Sequence, residues 1–463
     1  MTEEDYNELF SNFEQEISAN MTAMRIPGMT IAVVKEGKII YSDGFGTRNR
    51  EKNDPMTIDT HLAIGSCTKS FTSLAIMQLQ EKKLLDIHEP VSKYLPEFKL
   101  KSDSPITISH LMSHTSGIPS LGSARSISYL IGADEDLDIV PLASWNDFYR
   151  LINGAQQELI FKPGERFFYC NGGYNLLGQI ISKVSGLSYE DYVQENILKP
   201  LKMNETCFRG TDAEHHTTFY RKKGKKLIPS SYSADMINQA AGGITCTVLD
   251  LVNYISMYFK EGKFDDKQII TKESLDEMTA HKSNLPENSI FGESTYGYGW
   301  IVYPDFLGYK LITHSGGVGN GTSVIMMIPE KEIGIVAITN TNGLPFLSLY
   351  TLIGKLLGVD IKETISAIKK IKLKSRIIGN YKTYKAEIDV TIRSKGAFYE
   401  VTINNMEEFF SEPYLLVADT IEEHKMLFYT LSPLGERIDV EFFFEESRKP
   451  YFTIQRFLFH KVD

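Results

Sequence analysis

The run GSCTKSFTSLAIMQLQ, residues 65–80, sets a serine and a lysine three positions apart, Ser66 and Lys69, at the head of a densely apolar segment. Phe71, Leu74, Ala75, Met77 and Leu79 recur at helical spacing, closely enough to bury the segment nearly all round. Three residues are almost one helical turn, so Lys69 lies beside Ser66 on one face. Gly65 lets the chain turn sharply into the helix, and a helix N-terminus favours negative charge on the serine oxygen. A lysine held among apolar side chains loses its preference for the ammonium form and can accept the hydroxyl proton. Spacing alone is weak evidence, because Ser366 and Lys369 repeat it in a lysine-rich stretch.

Two further stretches carry groups that suit such a pair. In RFFYCNGGYNLLGQII (166–181), Tyr169 and Asn171 stand just before a helix predicted to start near Gly173. A phenol can relay protons, and a carboxamide can orient a lysine and hydrogen-bond a substrate carbonyl. The same stretch also reads as a buried aromatic followed by a helix cap. In LITHSGGVGNGTSVIMMIP (311–329), His314, Ser315, Gly316 and Gly317 fall on a predicted strand. Glycines in a strand indicate a close approach to the backbone, and a substrate carbonyl is one candidate. The N–H groups of Ser66 and Gly317 could form an oxyanion hole.

Outward from these stretches, MTIAVVKEGKIIYSDGFG (29–46) reads as a hairpin, and four β-rich runs between 297 and 340 read as an antiparallel meander. Helical signals dominate 106–260, and PFLSLYTLIGKLLG (345–358) reads as a closing helix. The N-terminal residues Tyr6, Leu9, Phe10, Phe13, Ile17 and Met21 mark an amphipathic helix. The expected fold is mixed α/β: an antiparallel sheet flanked by helices plus a helical lobe, over residues 1–358. Residues 359–376 read as a linker, and 377–463 as an antiparallel barrel, which removes the exposed edges of many short strands.

With 463 residues the chain is long enough for two or three domains. Its net charge of −10 opposes binding to phosphate backbones, so no nucleic-acid partner is expected. RKKGKK (221–226) is expected to be a solvated loop. No apolar run has membrane-spanning length and the acidic N-terminus is unlike an export signal. The four cysteines, Cys67, Cys170, Cys207 and Cys246, show no metal-type spacing and suit a reduced, cytoplasmic setting. His110 and His114 stand at i, i+4, but are expected to pack and fix a loop rather than to bind metal. Tyr296, Tyr298 and Trp300 are expected to pack near the last strands. Residues 118–160 are expected to overhang the pocket and shape substrate choice.

Together the three stretches resemble the serine β-lactamase and penicillin-binding-protein superfamily, whose class A members carry Ser-x-x-Lys. Tyr-x-Asn and His-Ser-Gly in place of Lys-Thr-Gly resemble the class C β-lactamase-related branch of esterases, D-aminopeptidases and D-amino-acid-specific peptidases. The resemblance covers about residues 20–358 and extends to ITISHLMSHTSGIP (106–119), ILKPLKMNET (197–206) and AAGGITCTVLDL (240–251). The C-terminal block resembles the lipocalin-like barrel appended to some peptidases of that branch.

The resemblance implies a serine hydrolase acting through an acyl-enzyme, without metal or other cofactor. Ser66 would be the nucleophile, and Lys69 and Tyr169 would move its proton. Asn171 would hold Lys69 and the substrate, His314 would assist the leaving group, and Ser315 and Gly317 would serve substrate or oxyanion binding. Because histidine replaces a lysine that binds substrate carboxylates, small peptides or amides, some containing D-residues, and simple esters are favoured over β-lactams. A carboxylesterase or β-lactamase, or a non-catalytic protein that keeps the fold for binding or assembly, are the alternatives. Homo-oligomers could form through the C-terminal domain.

Overall fold

A computed structural model describes residues 2–120, 142, 144–208, 216–230, 237–286, 289–318, 320–386, 388–396, 398–403, 414–431, 435, 437–446, 448–454 and 457–462. The chain divides into two compact units, Met1–Gly358 and Val359–Asp463. Residues 359–376, expected as a linker, fall within the second unit, and Leu373 packs against its core.

The first unit is built on a nine-stranded antiparallel sheet. Strands Gly28–Lys35 and Lys38–Asn49 form the N-terminal hairpin, closed at Glu36 and Gly37, both at positive φ as a two-residue turn of this hand requires. Strand Gly28–Lys35 then pairs with the late strand Ile333–Thr339, with Ile31 opposite Ala337. The sheet continues through Gly321–Ile328, Tyr309–Val318 and Ile301–Phe306. The early hairpin and the late meander therefore share one sheet.

Helices cover the sheet because each has a face that must leave water. Helix Glu3–Met24 starts on a Thr2 capping box and buries Leu9, Phe10, Phe13, Ile17 and Met21. Helix Thr68–Glu81 is buried along Thr68–Leu79, the most enclosed segment of the lobe. Helices Asn171–Ser185 and Val248–Phe259 pack in the same core, where Phe71 stacks on Tyr254 with ring centroids 3.8 Å apart. The predicted helical block also holds strands Cys207–Phe208 and Ile244–Cys246, which form a small sheet with Leu62–Ala63. RKKGKK is not a loop: it forms the hairpin of Phe219–Lys223 and Lys226–Ser230. Of the segment expected to overhang the pocket, 121–141 and 143 lie outside the described residues, while Trp145–Gly154 is a helix.

The second unit is a closed antiparallel barrel of eight strands, shut where Tyr381 pairs with Lys461. Tyr381, Phe428, Phe442, Phe452 and Phe459 fill its interior. Among the described residues no helix is long and apolar enough to cross a membrane.

Candidate active site

Ser66 sits in a single 3-10 turn, Gly65–Cys67, that runs directly into helix Thr68–Glu81. Gly65 has φ +51°, and a Cβ there would lie 2.7 Å from the carbonyl oxygen of Gly317. Gly316 is tighter still: its Cβ would lie 1.9 Å from the carbonyl oxygen of Ile64. The close approach expected at these strand glycines is thus made, at Gly316, by the chain's own backbone at Ile64, just before the turn that holds Ser66. At Gly317 the space is open, since a Cβ there would meet no described atom within 4 Å. Ser323 Oγ donates to the Ile64 carbonyl at 2.7 Å, and Cys67 Sγ donates to the His314 carbonyl at 3.2 Å. The turn and the strand are stitched together around Ser66.

Lys69 is wholly buried, at 0% exposure. Its Nζ has three oxygen partners: Ser66 Oγ at 3.1 Å, Asn171 Oδ1 at 2.7 Å and the Ala241 carbonyl at 2.7 Å. A neutral amine has two N–H donors and one lone pair. The two shorter contacts go to oxygens that can only accept, which leaves the lone pair for the Ser66 hydroxyl. Burial pulls the Lys69 pKa down to about 7, weakly opposed by the neighbouring Cys170 and Cys67 thiols.

Tyr169 and Asn171 flank the start of helix Asn171–Ser185. The Tyr169 hydroxyl lies close enough to Ser66 for the serine to favour its ionised form, but burial outweighs this and drives its pKa upward, which keeps it a neutral phenol. The Lys69 Nζ lies 4.8 Å from the Tyr169 ring centroid. Ser66, Lys69, Tyr169 and Asn171 are therefore one cluster.

His314 lies on the same strand, 3% exposed, while Ser315 and Gly317 alternate outward. Its Nδ1 is 2.7 Å from the Ser315 carbonyl oxygen, so that nitrogen carries the proton. Its Nε2 accepts from the Tyr296 hydroxyl at 3.0 Å. Burial and the nearby charge of Lys69 lower its pKa to about 3. His314 is a neutral group with both ring nitrogens engaged, and it does not titrate near the ordinary histidine value of about 6.5.

Two members of this neighbourhood went unread in the sequence: Tyr296, expected mainly to pack near the last strands, bonds His314, and Ala241 contributes a backbone oxygen, which no side-chain pattern signals. His114, expected to pack and fix a loop, bonds the N–H of Cys170 beside Tyr169 through its ring, at 3.1 Å. Its metal-like spacing from His110 is incidental: His110 Nδ1 accepts from the Thr107 N–H at a helix start. Burial pushes the Cys67 thiol up to about 12 and raises Cys170, so neither is an activated nucleophile. Among the described residues no group of three His, Cys, Asp or Glu side chains could hold a metal ion.

Comparison with known proteins agrees with this geometry. The family model described as Beta-lactamase matches residues 13–356, and that of the Pab87 octamerisation domain matches 361–460. Protein flp of Staphylococcus aureus strain MW2 is 33% identical over 325 residues, 68% of this chain and 60% of that protein. Penicillin-binding protein 4* of Bacillus subtilis strain 168 is 26% identical over 328 residues, 65% of this chain and 66% of that protein. The chain thus spans 60% of the length of that flp protein. The solved octameric penicillin-binding protein homologue from Pyrococcus abyssi superposes with a TM-score of 0.87 at 34% identity, covering 98% of this chain and all of that one. EstCE1, a hydrolase with promiscuous acyltransferase activity, shares the fold at a TM-score of 0.63 and 22% identity, over 75% of this chain and 98% of that one. With a family match across the whole first unit, this chain belongs to the Beta-lactamase family.

Proposed function

We propose that this protein is a serine hydrolase that forms an acyl-enzyme on Ser66. The observation that carries the reading is the buried Lys69 amine, whose two N–H bonds are taken by Asn171 and Ala241 and whose lone pair is left for Ser66. With a pKa of about 7, roughly half of the molecules hold the free amine at neutral pH.

In the first half-reaction Lys69 takes the Ser66 proton as Oγ bonds to the substrate carbonyl carbon. The carbonyl oxygen gains the charge and is held by the N–H groups of Ser66 and Gly317. Collapse breaks the bond to the leaving group, which receives a proton through Tyr169, the phenol beside Ser66. Water then attacks the acyl carbon, gives its proton to the same groups, and releases the acid and free Ser66. Ser315, exposed on strand Tyr309–Val318, contacts substrate in this scheme.

The leading substrates are small peptides or amides, including ones with D-residues, and simple esters. The neutrality of His314 supports them, because it offers no cation to a substrate carboxylate. We also infer homo-oligomers through the C-terminal barrel, supported by the octamerisation-domain match and by the octameric relative. Light scattering on the full chain tests this, and a monomer mass overturns it.

The site assignment is tested by intact-mass labelling with fluorophosphonate and penicillin-type probes, then peptide mapping, with Ser66→Ala as control. One adduct on Ser66, absent in the variant, is expected. A label on another serine, or none with either probe, sinks the acyl-enzyme and favours a binding or assembly role. A library of esters and peptides of both chiralities then ranks the substrates.

A further inference from the structure

His114 is a buried titratable residue that the scheme above does not use. It has φ +58°, in the left-handed region that costs most residues about 1 kcal/mol or more and that asparagine tolerates best among residues with side chains. Its carbonyl oxygen accepts from the Phe168 N–H at 2.7 Å. Its ring Nδ1 accepts from the Cys170 N–H at 3.1 Å. Those two peptide groups bracket Tyr169. The His114 ring also lies over Tyr169, with centroids 4.2 Å apart at 37°. One residue thus grips the tyrosine through both neighbours and one ring face.

The chemistry of the grip is specific. Because Nδ1 accepts, the neutral ring carries its proton on Nε2, which has no hydrogen-bond partner among the described residues. Tyr174, Tyr296 and Phe167 surround that ring, with centroids 5.1, 5.0 and 5.6 Å away. Only a neutral ring can take the Cys170 N–H in this way, and burial beside Lys69 and His314 holds it neutral.

We propose that His114 is a positioning residue that holds the Tyr169 hydroxyl beside Ser66, through the bond to the Cys170 N–H and the tilted ring contact. The inference rests on the acyl-enzyme reading of Ser66. Its cost is read in the rate, since misplacing a reacting group by about 1 Å can lose about a hundredfold.

The test uses the full chain and two variants that separate the features. His114→Asn keeps an acceptor near Nδ1 and tolerates the left-handed backbone. His114→Phe keeps a ring and loses the acceptor. Each is made with Tyr169 intact and with Tyr169→Phe, and thermal melting confirms folding. Ser66 labelling is followed together with kcat and KM on a short-chain alkyl ester. We expect His114→Phe to lower kcat about 30-fold or more with KM within about threefold, and His114→Asn to recover at least about tenfold of that loss. On the Tyr169→Phe background His114→Phe costs less than about threefold, because the hydroxyl it positions is gone. Equal losses on both backgrounds, equal impairment by Asn and Phe, or a kcat within about threefold of wild type overturns the role. Should His114→Phe fail to fold, His114→Gln, which carries its acceptor one bond further out, enters the same cycle under the same criteria. A wild type unlabelled at Ser66 removes the acyl-enzyme reading and this role with it. Normal wild-type labelling with an unimpaired His114→Phe removes this role alone.

Discussion

Lys69 donates to the carbonyl oxygen of Ala241 at 2.7 Å, across 172 positions of sequence. That bond, with the one to Asn171, satisfies the amine without any charged partner. Burial then acts unopposed by a carboxylate, and the amine is a base near neutral pH.

Activity should therefore rise with pH through about 7, as Lys69 loses its proton, and hold level above. His314 contributes no limb there, being neutral down to about pH 3. A pH profile of kcat/KM for wild type and His314→Gln checks this. The limb stays in place in the variant; its disappearance would return the titration to the histidine.

The same amine makes stability depend on pH. The unfolded chain holds the Lys69 proton up to the ordinary value of 10.5, and the folded chain releases it near 7. Between those values the unfolded state binds more protons, so stability rises with pH, by about 1.4 kcal/mol per pH unit. Lys69→Met lacks this term. From about pH 7.5 to about pH 9.5, wild type should gain on it by roughly 2 to 3 kcal/mol in urea melts. No relative gain means that the amine titrates normally.

Tyr169→Phe removes a proton relay but not the base. We expect kcat to fall by about 100-fold or more on amides and alkyl esters, with the limb near 7 unmoved. The loss should be smaller for a p-nitrophenyl ester, whose leaving group departs without protonation. Equal losses on both substrate types would show that the phenol acts elsewhere.

Gly316→Ala and Gly317→Ala should part sharply. The first drives a Cβ to 1.9 Å from the Ile64 carbonyl, whereas the second meets no described atom within 4 Å. Chemical denaturation should show Gly316→Ala losing about 2 kcal/mol or more and Gly317→Ala within about 0.5 kcal/mol of wild type.

Cys67 stands next to Ser66 but is inert. Cys67→Ala should keep Ser66 labelling within about threefold, at a stability cost of about 1 kcal/mol for its lost contacts. Abolished labelling in a folded variant would reopen the role of sulfur.

Local pattern alone revealed much of this molecule. The β-rich runs of 29–46 and 297–340, separated by turn residues, marked strands that the structure places in one sheet. Periodicity in residues 3–24 did the same for the first helix. Ser66, Lys69, Tyr169, Asn171 and His314 were legible as motifs, because each pairs a reactive side chain with a turn, a helix start or a glycine-bearing strand. Tyr296 and Ala241 were not, since an aromatic and a backbone oxygen look the same wherever they lie. Ser66-x-x-Lys69 and Ser366-x-x-Lys369 are equivalent as text, and both head helices. Lys369 is exposed, where water solvates an ammonium; Lys69 is wholly buried against three fixed oxygens. Spacing put each amine beside its hydroxyl, but only packing set its charge, because the free energy of an ion depends on the medium around it.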